Sequence, residues 1–96
     1  MSTMVIAVLS VELFLPMSAS LKDKRMVLRR VKDRLQRMNL AVAEVAHQEA
    51  WQRAGLGIVA ISTDVDHVER QLRAAADEID RVEPGLTVRT DIEFLT

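Results

Sequence analysis

Cysteine is absent from this 96-residue chain, which excludes disulfides and thiolate metal sites and leaves the redox compartment unread. Aromatic side chains are nearly absent, with one Trp, two Phe and no Tyr, so little is available for stacking on bases. Glycine occurs only three times, and no GxGxxG or GxxxxGK[ST] phosphate loop is present; Gly55-Leu56-Gly57 lacks a third glycine and opens a strand pattern rather than a helix. No Gly-x-Ser-x-Gly turn supports a serine nucleophile. The longest apolar run, Met4 to Val11, is interrupted by Ser10 and falls far short of the roughly 18–20 residues of a membrane span. A basic start and a small-residue cleavage site are also missing, so no signal peptide is expected and the cytoplasm is the default location.

A net charge of −1 lacks the excess of a generally basic nucleic-acid binder, but it averages two unlike segments. Ser20 to Met38 carries eight basic residues against two acidic ones, whereas Asp64 to Glu83 carries seven acidic against three basic. Apolar residues are 49% of the chain and charged residues 28%, the balance of a globular protein, and the length suits one domain over residues 1–96.

Strict alternation predicts a strand over Val5–Leu15, with Val5, Ala7, Leu9, Val11, Leu13 and Leu15 on one face and Ile6, Val8, Ser10, Glu12 and Phe14 on the other. Pro16 stops it. Ser18 and Ser20 are candidate N-caps, Ser20 and Asp23 having the spacing of a capping box, and the helix that follows carries the stripe Leu21, Lys24, Leu28, Val31, Leu35, Met38 until Asn39 closes it. Leu40–Ala46 and Gly55–Ser62 are predicted strands joined by the loop His47–Ala54. A second helix starts at Ser62, Thr63 or Asp64 on the stripe Val65, Val68, Leu72, Ala75 or Ala76, Ile79, Val82 and ends at Pro84-Gly85, before a last strand over Leu86–Leu95. The order βαββαβ predicts an α+β, ferredoxin-like fold: a four-stranded antiparallel sheet with both helices on one face. Right-handed crossovers put the first and third strands in the middle. The second strand becomes an apolar edge through which homo-oligomers can form. A sheet of this kind reads RNA through aromatics on its central strands, and Leu56 to Ile61 has none.

Ser20-Leu21-Lys22-Asp23-Lys24-Arg25 puts three cations in a first helical turn, where the helix dipole favours anions by about 0.3–1 kcal/mol each, and so raises the question of a bound phosphate or carboxylate. Lys24 lies in mid-stripe, where an ammonium needs a partner or a way out past the end of the core; Glu12 is the expected partner, with Glu44 and Glu93 behind it. Lys22, Arg25 and Arg29 share an outer arc. In the loop, Glu44, His47 and Glu49 form a weak metal or acid–base pattern, and no metal or cofactor is expected from it. Trp51 is expected to pack as a lid over the end of the core, a stacking platform being the alternative. A pocket joining Glu12, Lys24, Glu44 and Trp51 would point instead to a small-molecule or enzymatic site.

Met4-Val5-Ile6-Ala7-Val8-Leu9, Ser20 to Arg25, Ala43 to Ala54 with its Gln48-Glu49-Ala50-Trp51-Gln52-Arg53 core, and the closing Ile92-Glu93-Phe94-Leu95 resemble the YlxP-like family of bacterial proteins. Asp23 stands where Glu is commoner in that family, and Met1-Ser2-Thr3 is an extra start. The resemblance implies the same ferredoxin-like fold. It also implies a context beside genes for translation initiation and ribosome-binding factors, with RNA as the ligand. Together these lead to the expectation of a non-enzymatic protein that binds ribosomal RNA or the ribosome through phosphate contacts from Lys22, Arg25, Arg29, Arg30 and Arg37, with Arg53 as an accessory. The alternative is a homo-oligomeric interaction module without nucleic acid, joined by the second strand or by its cationic and anionic helices.

Overall fold

Alternation of buried and exposed side chains runs the length of β1 (Val5–Phe14) in a computed structural model that describes residues 3–96. Met1 and Ser2, part of the domain assigned to 1–96 and of the extra start, lie outside the described residues. Val5, Ala7, Leu9, Val11 and Leu13 are buried against the helices, as their spacing predicts. The helix α1 (Leu21–Arg37) begins where Ser20 accepts the Asp23 N–H at 3.1 Å, and Asp23 returns a bond to the Ala19 N–H at 2.9 Å. It ends with Asn39 at φ 61°, with the Asn39 N–H on the Gln36 carbonyl and the Leu40 N–H on that of Leu35. This left-handed closure also brings the buried Leu40 back over the buried Leu35.

The edge strand β2 (Ala41–Ala46) and β3 (Arg53–Ser62) follow, then α2 (Val65–Val82), capped by Asp64, and β4 (Thr87–Phe94). β3 starts two residues earlier than the pattern Gly55–Ser62 predicts, because Arg53 and Ala54 pair with Phe14 and Leu13. The order β2-β3-β1-β4, antiparallel throughout, puts β1 and β3 in the middle as expected. This is the predicted ferredoxin-like α+β fold.

Two irregularities matter for the surface. Val45 is the extra residue of a bulge in β2, and Val88 is the extra residue of one in β4, which turns it into solvent. Gly55 is required opposite the first bulge, since a Cβ there would sit 2.7 Å from the Ala46 Cβ. Among the stripe positions, Val65 is exposed, while Val68, Leu72, Ala75 and Ile79 join Leu28, Val31 and Leu35 in the core. The opposite face of the sheet has no helix over it.

Candidate functional site

Lys24 is 2% exposed, and the first turn of α1 carries its ammonium into the curve of the β2–β3 loop. There Nζ donates to the carbonyls of His47 and Ala50 at 2.7 Å each, with that of Gln48 at 3.4 Å. Three donors meet three carbonyls, so Glu44 Oε2, 2.7 Å away, is held by charge and takes no directed hydrogen bond. The cation in the anion-preferring turn is thus answered from within the chain: a loop of carbonyls and one carboxylate surround it. Of the turn's own N–H groups, that of Asp23 is engaged by the Ser20 side chain and that of Lys24 by the Ser20 carbonyl.

This corrects the expected Lys24–Glu12 pair. Glu12 stands on the uncovered face of the sheet, while Lys24 descends from the helical side. Glu12 Oε1 instead accepts from His47 Nε2 at 3.1 Å, since a carboxylate can only accept, and Oε2 lies 3.5 Å from Arg53 Nη2. The His47 hydrogen bond, helped by the charges of His47 and Arg53 against a desolvation cost, holds the Glu12 carboxyl below its ordinary value. His47 sits at φ 59°, a conformation that His tolerates better than most residues. Its carbonyl serves Lys24 on one side of the sheet and its ring serves Glu12 on the other.

The loop's remaining candidates diverge. Glu44 faces Lys24, His47 faces Glu12 and Glu49 is exposed, so they do not converge on a metal position; no metal-holding group of His and acidic residues occurs among the described residues. Glu93, the third expected partner of Lys24, lies opposite Val8 on the uncovered face. Trp51 is not a lid: it is 54% exposed. Leu15 closes that end of the core instead, with its N–H on the Gln52 carbonyl, while the Gln52 side chain reaches the Pro16 carbonyl at 3.1 Å. Glu12, Lys24, Glu44 and Trp51 therefore form no common pocket.

The basic residues of α1 divide into two sets. Arg30 pairs with Glu83 at the end of α2, and Arg34 with Glu78 at 2.7 Å, so part of the charge contrast between the helices is neutralised where they pack together. Lys22, Arg25, Arg29 and Arg37 are exposed and, with the half-buried Lys32 at the margin of their strip, enter no ion pair among the described residues. At about 100° per residue, Lys22, Arg25 and Arg29 fall within about 60° of arc, and Arg37 extends the strip by a similar angle. Asp33 and the 53%-exposed Met26 share it. Arg53 belongs elsewhere, on the uncovered sheet face beside Glu12, and cannot assist the helix as expected.

These features define a class: an open-faced ferredoxin-like α+β domain with a lysine-organised loop and a basic strip on its first helix. The chain belongs to the family described as protein of unknown function (DUF503), whose model matches residues 6–92. It is 38% identical over 64 residues to the uncharacterized protein YlxP of Bacillus subtilis (strain 168), covering 66% of this chain and 70% of that one. Among solved structures it is similar to the de novo designed protein Foldit4 (TM-score 0.60, 11% identity, 98% of each chain). It is also similar to the designed protein Ferredog-Diesel (TM-score 0.53, 11% identity, 92% of this chain and 83% of that one). At such identities the likeness shows the fold alone.

Proposed function

We propose that this chain is a non-enzymatic, cytoplasmic RNA-binding protein of the ribosome or its RNA, and that the outer strip of α1 makes the contact. The observation that carries the reading is the split among the cations of α1: Lys22, Arg25, Arg29 and Arg37 keep their full charge in solvent while Lys24, Arg30 and Arg34 are neutralised by neighbours. Unpaired cations along one helix face match a run of phosphates. Aromatic platforms are missing from the strands β1 and β3 except for Phe14 at an end, so recognition rests on backbone charge and shape. Release of counterions from about four phosphates predicts that affinity falls roughly 50–150-fold between 50 and 200 mM salt.

The test is binding to total ribosomal RNA and to 30S and 50S particles by the purified protein and its Arg25→Glu/Arg29→Glu variant. Salt-sensitive binding that drops at least tenfold in the folded variant is expected. Unchanged affinity would overturn the reading. A second reading, a homo-oligomer paired through the free edge of β2, is favoured by that strand's place at the margin of the sheet. The Val45 bulge shortens the edge it can offer.

A further inference from the structure

All three aromatic side chains of the chain are exposed: Trp51 by 54%, Phe14 by 47% and Phe94 by 41%. The core cluster consists of Val, Ala, Leu and Ile, although an aromatic ring brings the largest apolar area to a core. Phe94 stands at one end of the sheet, opposite Ala7. The other two meet at the opposite end. Phe14 lies opposite Arg53, and the β1–β3 ladder runs one rung further, with the Leu15 N–H on the Gln52 carbonyl at 2.8 Å. Trp51, two residues before Arg53, is thereby the diagonal neighbour of Phe14, a separation of about 7–8 Å that aromatic side chains span.

The backbone at Trp51 is fixed on both sides. The Ala50 carbonyl before it accepts from Lys24 Nζ at 2.7 Å. The Gln52 carbonyl after it accepts from Leu15, and the Gln52 side chain holds the Pro16 carbonyl at 3.1 Å. An exposed ring on a tethered loop has only its own side chain left to order on binding. Charge at the neighbouring rungs is positive. Arg53 is 57% exposed, and Arg89 faces Glu12 across the β1–β4 pair, so two arginines, with His47, flank one carboxylate. This end also adjoins the outer strip of α1: Arg25 borders the same hollow as Gln48 and Glu49 of the loop that carries Trp51.

We propose that Trp51 and Phe14 form a stacking site for unpaired bases of single-stranded RNA, with Arg53 beside them for the backbone phosphate. A ring face accepts any base and a guanidinium takes the phosphate, so the site selects unstacked nucleotides without selecting sequence. The proposal rests on the reading of the chain as an RNA-binding protein and adds to the strip of α1, which takes phosphates of paired and unpaired RNA alike. Continuity from Arg25 to the loop suits an RNA whose stem lies along α1 and whose unpaired end reaches Trp51.

With one Trp and no Tyr in the chain, tryptophan emission comes from Trp51 alone. A short single-stranded RNA without self-complementarity should quench that emission to saturation, and a blunt RNA duplex of equal length should leave it nearly unchanged. Trp51→Ala should weaken single-strand binding roughly 5–150-fold, read by anisotropy of labelled RNA, with duplex affinity unaltered. Trp51→Phe should retain most of the single-strand affinity. Equal quenching by the two RNAs, or wild-type single-strand affinity in Trp51→Ala, would overturn the proposal. So would a blue shift of Trp51 emission with rising protein concentration and no RNA, which would assign this end to contact between copies. Ribosomal RNA binding that is lost in Arg25→Glu/Arg29→Glu, with no quenching in wild type, would remove the stacking site and leave the strip standing. Single-strand quenching indifferent to that double change would do the opposite.

Discussion

Two sides of the same helix use the same residue types for different ends. On the inner side and along the seam with α2, Lys24, Arg30 and Arg34 have their charge matched by Glu44 and three carbonyls, by Glu83 and by Glu78. On the outer side Lys22, Arg25, Arg29 and Arg37 are matched by nothing in the chain's described residues. The difference teaches that the charge excess of a segment overstates its binding surface. Part of the excess of α1 assembles the fold, and only the remainder is open to a partner.

Substitutions should separate the two sides. Lys24→Ala is expected to be the most damaging: it strands Glu44 and three loop carbonyls, and should cost about 3–5 kcal/mol in chemical denaturation. Gly55→Ala should cost about 1–3 kcal/mol, because its methyl would press on Ala46 at the β2 bulge. Arg25→Glu/Arg29→Glu should change the unfolding free energy by no more than about 0.5 kcal/mol, since both residues are exposed, while abolishing most RNA affinity. Arg34→Ala should do the reverse on a smaller scale, costing up to about 1 kcal/mol as a half-exposed pair and leaving RNA affinity nearly unchanged.

The smallest effect is a pH dependence. Glu12 titrates below its ordinary value of 4.5, so the stability it contributes is present above that value and is lost as pH falls through the lower, folded-state value. Glu12→Gln should flatten the acid limb of a stability–pH profile in this region, and an unaltered limb would show that the His47 contact has no energetic consequence.

Much of this was legible from residue order. Period-two alternation in β1 and period-3.6 stripes in both helices agree with the caps at Ser20 and Asp64 and with the turn at Asn39, so local and global preferences point the same way. Mid-stripe placement also exposes Lys24 as a residue needing partners. Its partner could have been found too: the alternation that buries Val11 and Leu13 turns Glu12 away from the helices, while Glu44 shares the helical face of β2 with Val42. Loop carbonyls converging on an ammonium leave no trace in side-chain pattern, because the backbone is the same at every position. The exposure of Trp51 is hidden from the sequence for a related reason. A loop has no period, and whether its one large side chain packs inward depends on what else fills the space, which here is Leu15. The Arg30–Glu83 and Arg34–Glu78 pairs depend on how two helices cross. Segment charges foreshadow them, but the choice of individual residues is set by packing.

The most direct test of the division within α1 is the salt dependence of ribosomal RNA binding for Arg29→Ala and Arg34→Ala measured side by side with wild type. The account predicts that removing Arg29 lowers the slope of log affinity against log salt by about 0.7–0.9, the loss of one phosphate contact, while removing Arg34 leaves it unchanged. Equal slopes for all three proteins, or a loss confined to Arg34, would contradict it.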